Sequence, residues 1–146
     1  MSGITRDQFG HFMPITVRWG EMDALGHVNN TVYYRYSEDG RLDYIGRVAG
    51  DGPTTSGSGP ILADLRCSFL QQLRFPASVE IATRTRAIGR SSLRVEQALF
   101  RVGEDTPVAT YDAVVVWFDY AAQKSAPVPD DVRARIREVE VVAPEE

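Results

Sequence analysis

Four runs in the second half of the chain carry apolar residues at strand spacing, at about Ile61 to Leu70, Ser78 to Ile88, Ser92 to Arg101 and Pro107 to Tyr120. In the second, Val79, Ile81, Thr83 and Thr85 alternate with Glu80, Arg84 and Arg86, which predicts a sheet with one wet face. Gly89-Arg90-Ser91 reads as the hairpin turn between two of these strands. The last run contains Ala113-Val114-Val115-Val116-Trp117-Phe118, apolar at every position. A strand of that kind is expected to be buried on both faces, either in the middle of the sheet or under a partner subunit. A shorter alternation at Pro14 to Trp19 predicts a first strand.

The period changes after Trp19. Glu21 to Asn30 reads as a turn, and a helix of about fifteen residues is expected to follow, capped by Asn29 or Asn30. Its apolar residues, among them Val32, Tyr33, Tyr34, Tyr36, Leu42, Tyr44 and Ile45, point in more than one direction at helical spacing. Such a helix is expected to be enclosed rather than laid on a surface. Gly40 costs about 1 kcal/mol relative to Ala inside a helix, so something is expected to pack closely against it. Glu38 and Arg41 are spaced to pair along one side. Gly46 to Pro60 is rich in Gly, Ser, Thr and Pro and reads as a long loop. After Pro127 and Pro129, Val132, Ile136 and Val139 predict a short helix at about 130 to 140, with Asp130 and Asp131 favourably placed at its start. One early helix followed by long strands is an α+β pattern. The expected architecture is a hotdog fold, a curved antiparallel sheet of about five strands wrapped around a central helix, forming a single domain over residues 1–146.

Composition narrows the function classes. A chain of 146 residues is long enough to bury a core without disulfides or metals, and 43% hydrophobic with 25% charged residues is ordinary for a folded domain. No apolar run reaches the roughly 18 residues of a membrane span, and the N-terminal residues lack the basic-then-apolar pattern of a secretory signal, so a cytoplasmic protein is expected. Twenty acidic against sixteen basic residues leave a net charge of −4, the wrong sign for a protein held broadly to nucleic acid. Cys67 is the one cysteine and there are two histidines, which leaves no disulfide and no credible metal site.

The chemistry concentrates between Val17 and Arg41, VRWGEMDALGHVNNTVYYRYSEDGR. Here Asp23 stands seven residues before Asn30, beside the expected helix N-terminus, where free N–H groups and the helix dipole favour negative charge. A polarised carbonyl oxygen suits the same place. Taken alone, Asp23 is a turn or capping residue worth about 1 kcal/mol. His27 offers a general base, alone or with Asp23, or a hydrogen bond that orders the turn. Tyr33, Tyr34 and Tyr36 are core residues by composition, with one hydroxyl available to a pocket.

This segment resembles the signature of acyl-CoA thioesterases of the 4-hydroxybenzoyl-CoA thioesterase type, in which Arg-aromatic-x-Glu-x-Asp leads to Gly-His-Val-Asn-Asn and then Tyr, Glu and Arg on a helix. The hairpin at Gly89 to Ser92 and the segment Lys124 to Pro129 agree with it. The resemblance implies a hotdog subunit that forms a homodimer, commonly a homotetramer, binds an acyl-coenzyme A at the subunit interface and hydrolyses it without a cofactor. It implies that Asp23 is the functional acid and that the Asn30 backbone N–H holds the carbonyl. Gly26, Tyr33 and Tyr34 are further candidates for substrate binding, and by the same resemblance Arg90, Ser91 and Ser92 are the nearest equivalents of the residues that meet the coenzyme phosphates. The Gly-rich stretch from Gly50 to Pro60 departs from the family pattern.

Two rival readings use the same fold. A sensor or carrier would bind an acyl thioester without cleaving it, and has no need of Asp23 at the helix mouth. A dehydratase of 3-hydroxyacyl thioesters needs a His and an acid across a tunnel, and His27 follows Asp23 too closely for that. Glu38 offers an acid on the helix itself, as in another thioesterase lineage, but the Asp in the preceding turn argues against it.

Overall fold

The computed structural model describes residues 3–50 and 57–146. Strand β1 (His11–Thr16) precedes a 3-10 turn at Trp19–Glu21, and the long helix α1 (Asn30–Ala49) follows. Then come β2 (Ser58–Phe69), β3 (Ser78–Ile88), β4 (Ser92–Arg101), β5 (Ala109–Asp119), the two-residue β6 (Lys124–Ser125) and α2 (Asp130–Val139). The strands form one antiparallel sheet in the order β1-β3-β4-β5-β2, with β6 on the end of β5. The sheet curls against one face of α1, which is the expected hotdog arrangement.

The period-two reading of β3 holds: Val79, Ile81, Thr83 and Thr85 are all buried. Three elements differ from expectation. β1 begins at His11 and stops at Thr16, because His11, Phe12 and Met13 pair with Thr83, Ala82 and Ile81, whereas Trp19 is 72% exposed in the 3-10 turn. Helix α1 is 20 residues long, running through Gly46 to Ala49, and of the predicted Gly46 to Pro60 loop, residues 51–56 lie outside the described set. The apolar run in β5 is buried on one face only, through Ala113, Val115 and Trp117, with Val114, Val116 and Phe118 half-buried on the other. Unbroken hydrophobicity therefore marks an interior strand, between β4 and β2, whose second face is partly open.

Nor does a single chain enclose α1. Tyr33, Tyr36, Ser37, Gly40, Arg41, Tyr44, Ile45 and Val48 are buried, but Tyr34 and Leu42 look outward. Two apolar clusters flank the helix. Tyr44, Ile45 and Val48 pack with Ile88, Leu93, Val115 and Trp117 and with Val132 and Ile136 of α2, which closes that end. Tyr33 and Tyr36 pack with Val17, Val28, Leu73, Val79 and Ile81 at the other end. Between them lies a buried polar belt. The Ser37 hydroxyl donates to Gln97 Oε1 at 2.7 Å, and the Gln97 amide donates to the Ser37 carbonyl and the Thr83 hydroxyl, each at 3.0 Å. The α2 end is thus sealed, and the N-terminus of α1 is left beside its own approach loop.

Gly40 is where α1 lies directly against the side chains of β3 and β4. A Cβ there would come within 2.7 Å of Ile81 Cγ1, 2.8 Å of Ile81 Cγ2 and 3.0 Å of Gln97 Nε2. The overlap with a stiff β-branched side chain outweighs the roughly 1 kcal/mol that Ala gains in helix propensity. Gly40→Ala is expected to lower stability by about 1–3 kcal/mol in urea unfolding, by analogy with other overpacked cores. A gain in stability would contradict the packing described.

Helix α2 is also held by a buried carboxylate. Glu140, just past its end, accepts from the Tyr44 hydroxyl and, at 2.8 Å, from the Thr85 N–H, while its Oε1 has no partner among the described residues. Burial pushes the Glu140 carboxyl above the usual glutamate range, against the opposing pull of these hydrogen bonds and of Arg84 and Arg47. A raised acid means that folding favours the protonated form. The stability it contributes is full below the ordinary glutamate pKa and is lost as pH rises through the raised one. Glu140→Gln keeps an acceptor for both donors. It is expected to melt higher than the wild type at pH 8 and to flatten the decline of melting temperature from pH 4 upward; an unchanged pH profile would refute this.

Candidate active site

The approach loop is built by its own hydrogen bonds. Met22 and Val28 form an antiparallel bridge. Inside it the Asp23 N–H donates to the His27 carbonyl at 2.8 Å and the Gly26 N–H to the Asp23 carbonyl at 3.1 Å. The turn needs Gly26 at φ +81°, a region that side chains with a Cβ rarely adopt. Asp23 Oδ1 accepts from the Leu25 N–H at 2.9 Å, an Asx turn that fixes the carboxylate on an exposed loop. None of the loop's hydrogen bonds uses the other carboxylate oxygen, Oδ2.

The same loop delivers the chain into α1. The Val28 N–H donates to the Leu73 carbonyl at 2.8 Å, and the Asn29 N–H to the Glu21 carbonyl at 3.0 Å. Asn29 is the cap: its side-chain oxygen accepts from the Thr31 N–H at 2.9 Å and the Thr31 hydroxyl at 2.8 Å, and its carbonyl takes the Val32 N–H. Asn30 is the first helical residue, and no hydrogen bond at this turn uses its N–H. The first turn of α1 carries no acidic residue, so the positive end of the helix dipole is unneutralised from within.

Asp23, His27, Asn30 and Tyr33 line one cavity of about 330 Å³, with Phe69 and Leu70 from the end of β2 and Gln71 and Gln72 from the connection to β3. The volume lies in the range of small-molecule sites. Tyr33 is buried, its hydroxyl donates to the Gln71 carbonyl at 3.3 Å, and burial pushes its phenol above the usual range, so it stays a neutral donor. The Phe69 ring meets both Tyr33, at 5.1 Å between centroids, and Tyr34, at 6.2 Å. Tyr34 lines a neighbouring groove of about 480 Å³ between α1 and β2.

Other predicted residues are placed differently. The His27 ring faces Arg74, 3.2 Å from Nε2 to the guanidinium, and touches Asp23 through the backbone, so the two side chains form no dyad. Arg90, Ser91 and Ser92 stand on the β3–β4 hairpin next to α2, where Arg90 and Ser91 carbonyls accept from Val128 and Trp117 N–H groups. That is the sealed end of the sheet, about 30 Å of helix away from Asn30. Glu38 pairs with Arg35 at 3.6 Å rather than with Arg41. Arg41 turns inward to the Ser37 hydroxyl, and burial lowers its guanidinium pKa. Cys67 is half-buried, its thiol pushed up to about 11 by burial, which makes it a poor nucleophile at neutral pH. The described residues contain no group of three or more His, Cys, Asp or Glu able to hold a metal ion, and no helix long and apolar enough to cross a membrane.

The lining residues from 69 to 72 have no sequence signature, since they become neighbours of Asn30 only through sheet pairing. Asp23 and Asn30, the first residue of α1, thus both line this cavity, a carboxylate residue beside a helix N-terminus. That pair suits attack on a carbonyl whose oxygen gains charge.

Residues 17–136 match the model of the thioesterase-like superfamily. The chloroplastic acyl-acyl carrier protein thioesterase ATL2 of Arabidopsis thaliana is 30% identical over 126 residues, 85% of this chain and 66% of that protein. This chain therefore spans slightly less than two thirds of that relative. The betainyl-CoA thioesterase of Pseudomonas aeruginosa is 27% identical over 128 residues, 84% of this chain and 77% of the relative. Among solved structures, a thioesterase from Thermus thermophilus, crystallised with coenzyme A and Zn, superposes with a TM-score of 0.79 at 32% identity, over 91% of this chain and 96% of that one.

Proposed function

Because the chain belongs to the thioesterase-like superfamily, we propose that it hydrolyses an acyl-coenzyme A to the free acid and the thiol, using Asp23 and the backbone N–H of Asn30. The observation that carries this reading is their presence on the walls of one cavity at the N-terminus of α1. With the thioester carbonyl oxygen on the Asn30 N–H, charge developing there is met by a fixed donor and the helix dipole. Asp23 then acts in one of two ways. Its carboxylate adds to the carbonyl carbon and expels the thiolate, and water hydrolyses the resulting mixed anhydride. Otherwise it takes a proton from a water that attacks directly. If water opens the anhydride at the Asp23 carboxyl carbon, ¹⁸O from water enters Asp23 in a single turnover, an outcome the second course does not give.

Coenzyme A as the thiol is supported by the Thermus thermophilus relative crystallised with it and by the betainyl-CoA thioesterase, whereas ATL2 acts on acyl carrier protein esters by its name. The assembly we propose is a homodimer that pairs onward to a homotetramer. Its basis is the apolar surface a single chain leaves open beside the cavity: Ile61, Leu62, Phe69 and Leu70 on and after β2, and Tyr34 and Leu42 on α1. Arg90, Ser91 and Ser92, at the far end of their own chain, enter as contacts with the coenzyme phosphates made across that dimer. Thiol release from acyl-CoA substrates tests the activity; saturable binding without release would favour a sensor or carrier.

A further inference from the structure

We infer that Glu21 is a positioning residue for this site, its carboxylate tying the loop that carries Asp23 to the helix that carries the Asn30 N–H. The inference rests on the proposed hydrolysis for its kinetic consequences and on geometry alone for its existence. Glu21 Oε1 accepts from the Arg18 N–H and from the Tyr36 hydroxyl, both at 2.7 Å. The first bond closes the 3-10 turn at Trp19–Glu21, and the second reaches the second turn of α1. Tyr36 is 2% exposed and packed among Val17, Val28, Leu73 and Ile81, so it is a fixed anchor. Burial first, and the neighbouring carboxylate second, hold its phenol well above the usual range, which keeps the proton that the bond requires.

Two residues beyond Glu21 the chain enters the Asp23 turn, and the turn's return limb comes back to Glu21 through the Asn29 N–H. The loop tip is held by bonds within the loop and not by burial: Asp23, Ala24, Leu25 and Gly26 are all exposed, and Leu25 is 80% so. Val17 packs against Tyr36 from the same limb, and among the described residues Glu21 is the one whose side chain hydrogen-bonds that limb to α1. The distance between the attacking carboxylate and the carbonyl donor is therefore set through Glu21, which need not touch substrate. A loss of position of about 1 Å is enough to cost two orders of magnitude in rate.

The test compares Glu21→Gln, Glu21→Ala and Tyr36→Phe with wild type. Gln retains an acceptor oxygen; Ala and Phe each break the tie. We expect kcat to fall at least 30-fold in Glu21→Ala and about 10-fold in Tyr36→Phe, with KM within 3-fold of wild type, and Glu21→Gln to keep kcat within 3-fold. The double variant Glu21→Ala with Tyr36→Phe should be no slower than Glu21→Ala alone. Equal damage from Gln and Ala would overturn the inference, because it would assign the effect to charge; so would wild-type kcat in Tyr36→Phe, which also decides the matter if Glu21→Ala fails to fold. Amide exchange gives a readout that needs no turnover: protection of the Asp23, Gly26 and Asn29 N–H groups should drop at least 10-fold in Glu21→Ala and Tyr36→Phe and hold in Glu21→Gln. Unchanged protection sinks the tie even if the protein hydrolyses thioesters, and lost protection upholds it even if no thioester is cleaved.

Discussion

Asp23→Asn is expected to lower kcat by about 10³-fold or more, in line with the 10²–10⁴ contributed by a positioned general base and the larger loss when a nucleophile is removed. The substitution is unusually clean. Asn retains the side-chain oxygen that accepts from the Leu25 N–H, so the Asx turn, the bridge between Met22 and Val28 and the cap at Asn29 all persist. Stability should stay within about 0.5 kcal/mol of wild type, the usual span for an exposed substitution that breaks no special contact. What disappears is negative charge and nucleophilicity at the carboxylate. Steady-state kinetics beside a thermal melt check both halves, and a variant that melts normally yet turns over within a few-fold of wild type would remove Asp23 from the mechanism.

Asn30→Pro should be nearly as damaging, for a reason no side-chain deletion can imitate. Proline at the first helical position is well tolerated, since the N–H it lacks has no helical partner there. The preceding residue already suits it, because Asn29 sits at φ −60° and ψ 140°, the extended geometry that a following proline demands. The helix therefore remains while the proposed carbonyl donor is deleted. Loss of one such donor elsewhere costs about 10²–10³ in kcat, and a fall of that size is expected here, with Asn30→Ala close to wild type because it retains the N–H. Parallel losses in both variants would assign the effect to the side chain and contradict the backbone role.

The fold was legible where the physics is local. Strand-like apolar runs located β3 and β4 to their ends, and Gly40 announced a close approach that proves to be with Ile81 and Gln97. The candidate site was legible through Asp23, Gly26, Asn29 and Asn30 because turn and cap chemistry act within a few residues. Tertiary geometry was not. Nothing in the spacing of Glu38 and Arg41 foretold that Arg41 would turn inward to Ser37, since helical spacing permits a pair without requiring it. Trp19 looked like a strand residue by alternation, yet the Glu21 carboxylate folds that stretch into a 3-10 turn. The walls from Phe69 to Gln72 depend on β2 crossing to the far side of β5, a sheet order that alternation cannot reveal.

The central claim is hydrolysis at the mouth of α1, and thiol release tests it most directly. Wild type and Asp23→Asn would be assayed on short, long and aromatic acyl groups, each presented both on coenzyme A and on acyl carrier protein. The account predicts saturable release by wild type from the coenzyme A esters and its loss in the variant. Saturable binding of the same esters with no thiol released by wild type, or release undiminished in Asp23→Asn, would contradict it.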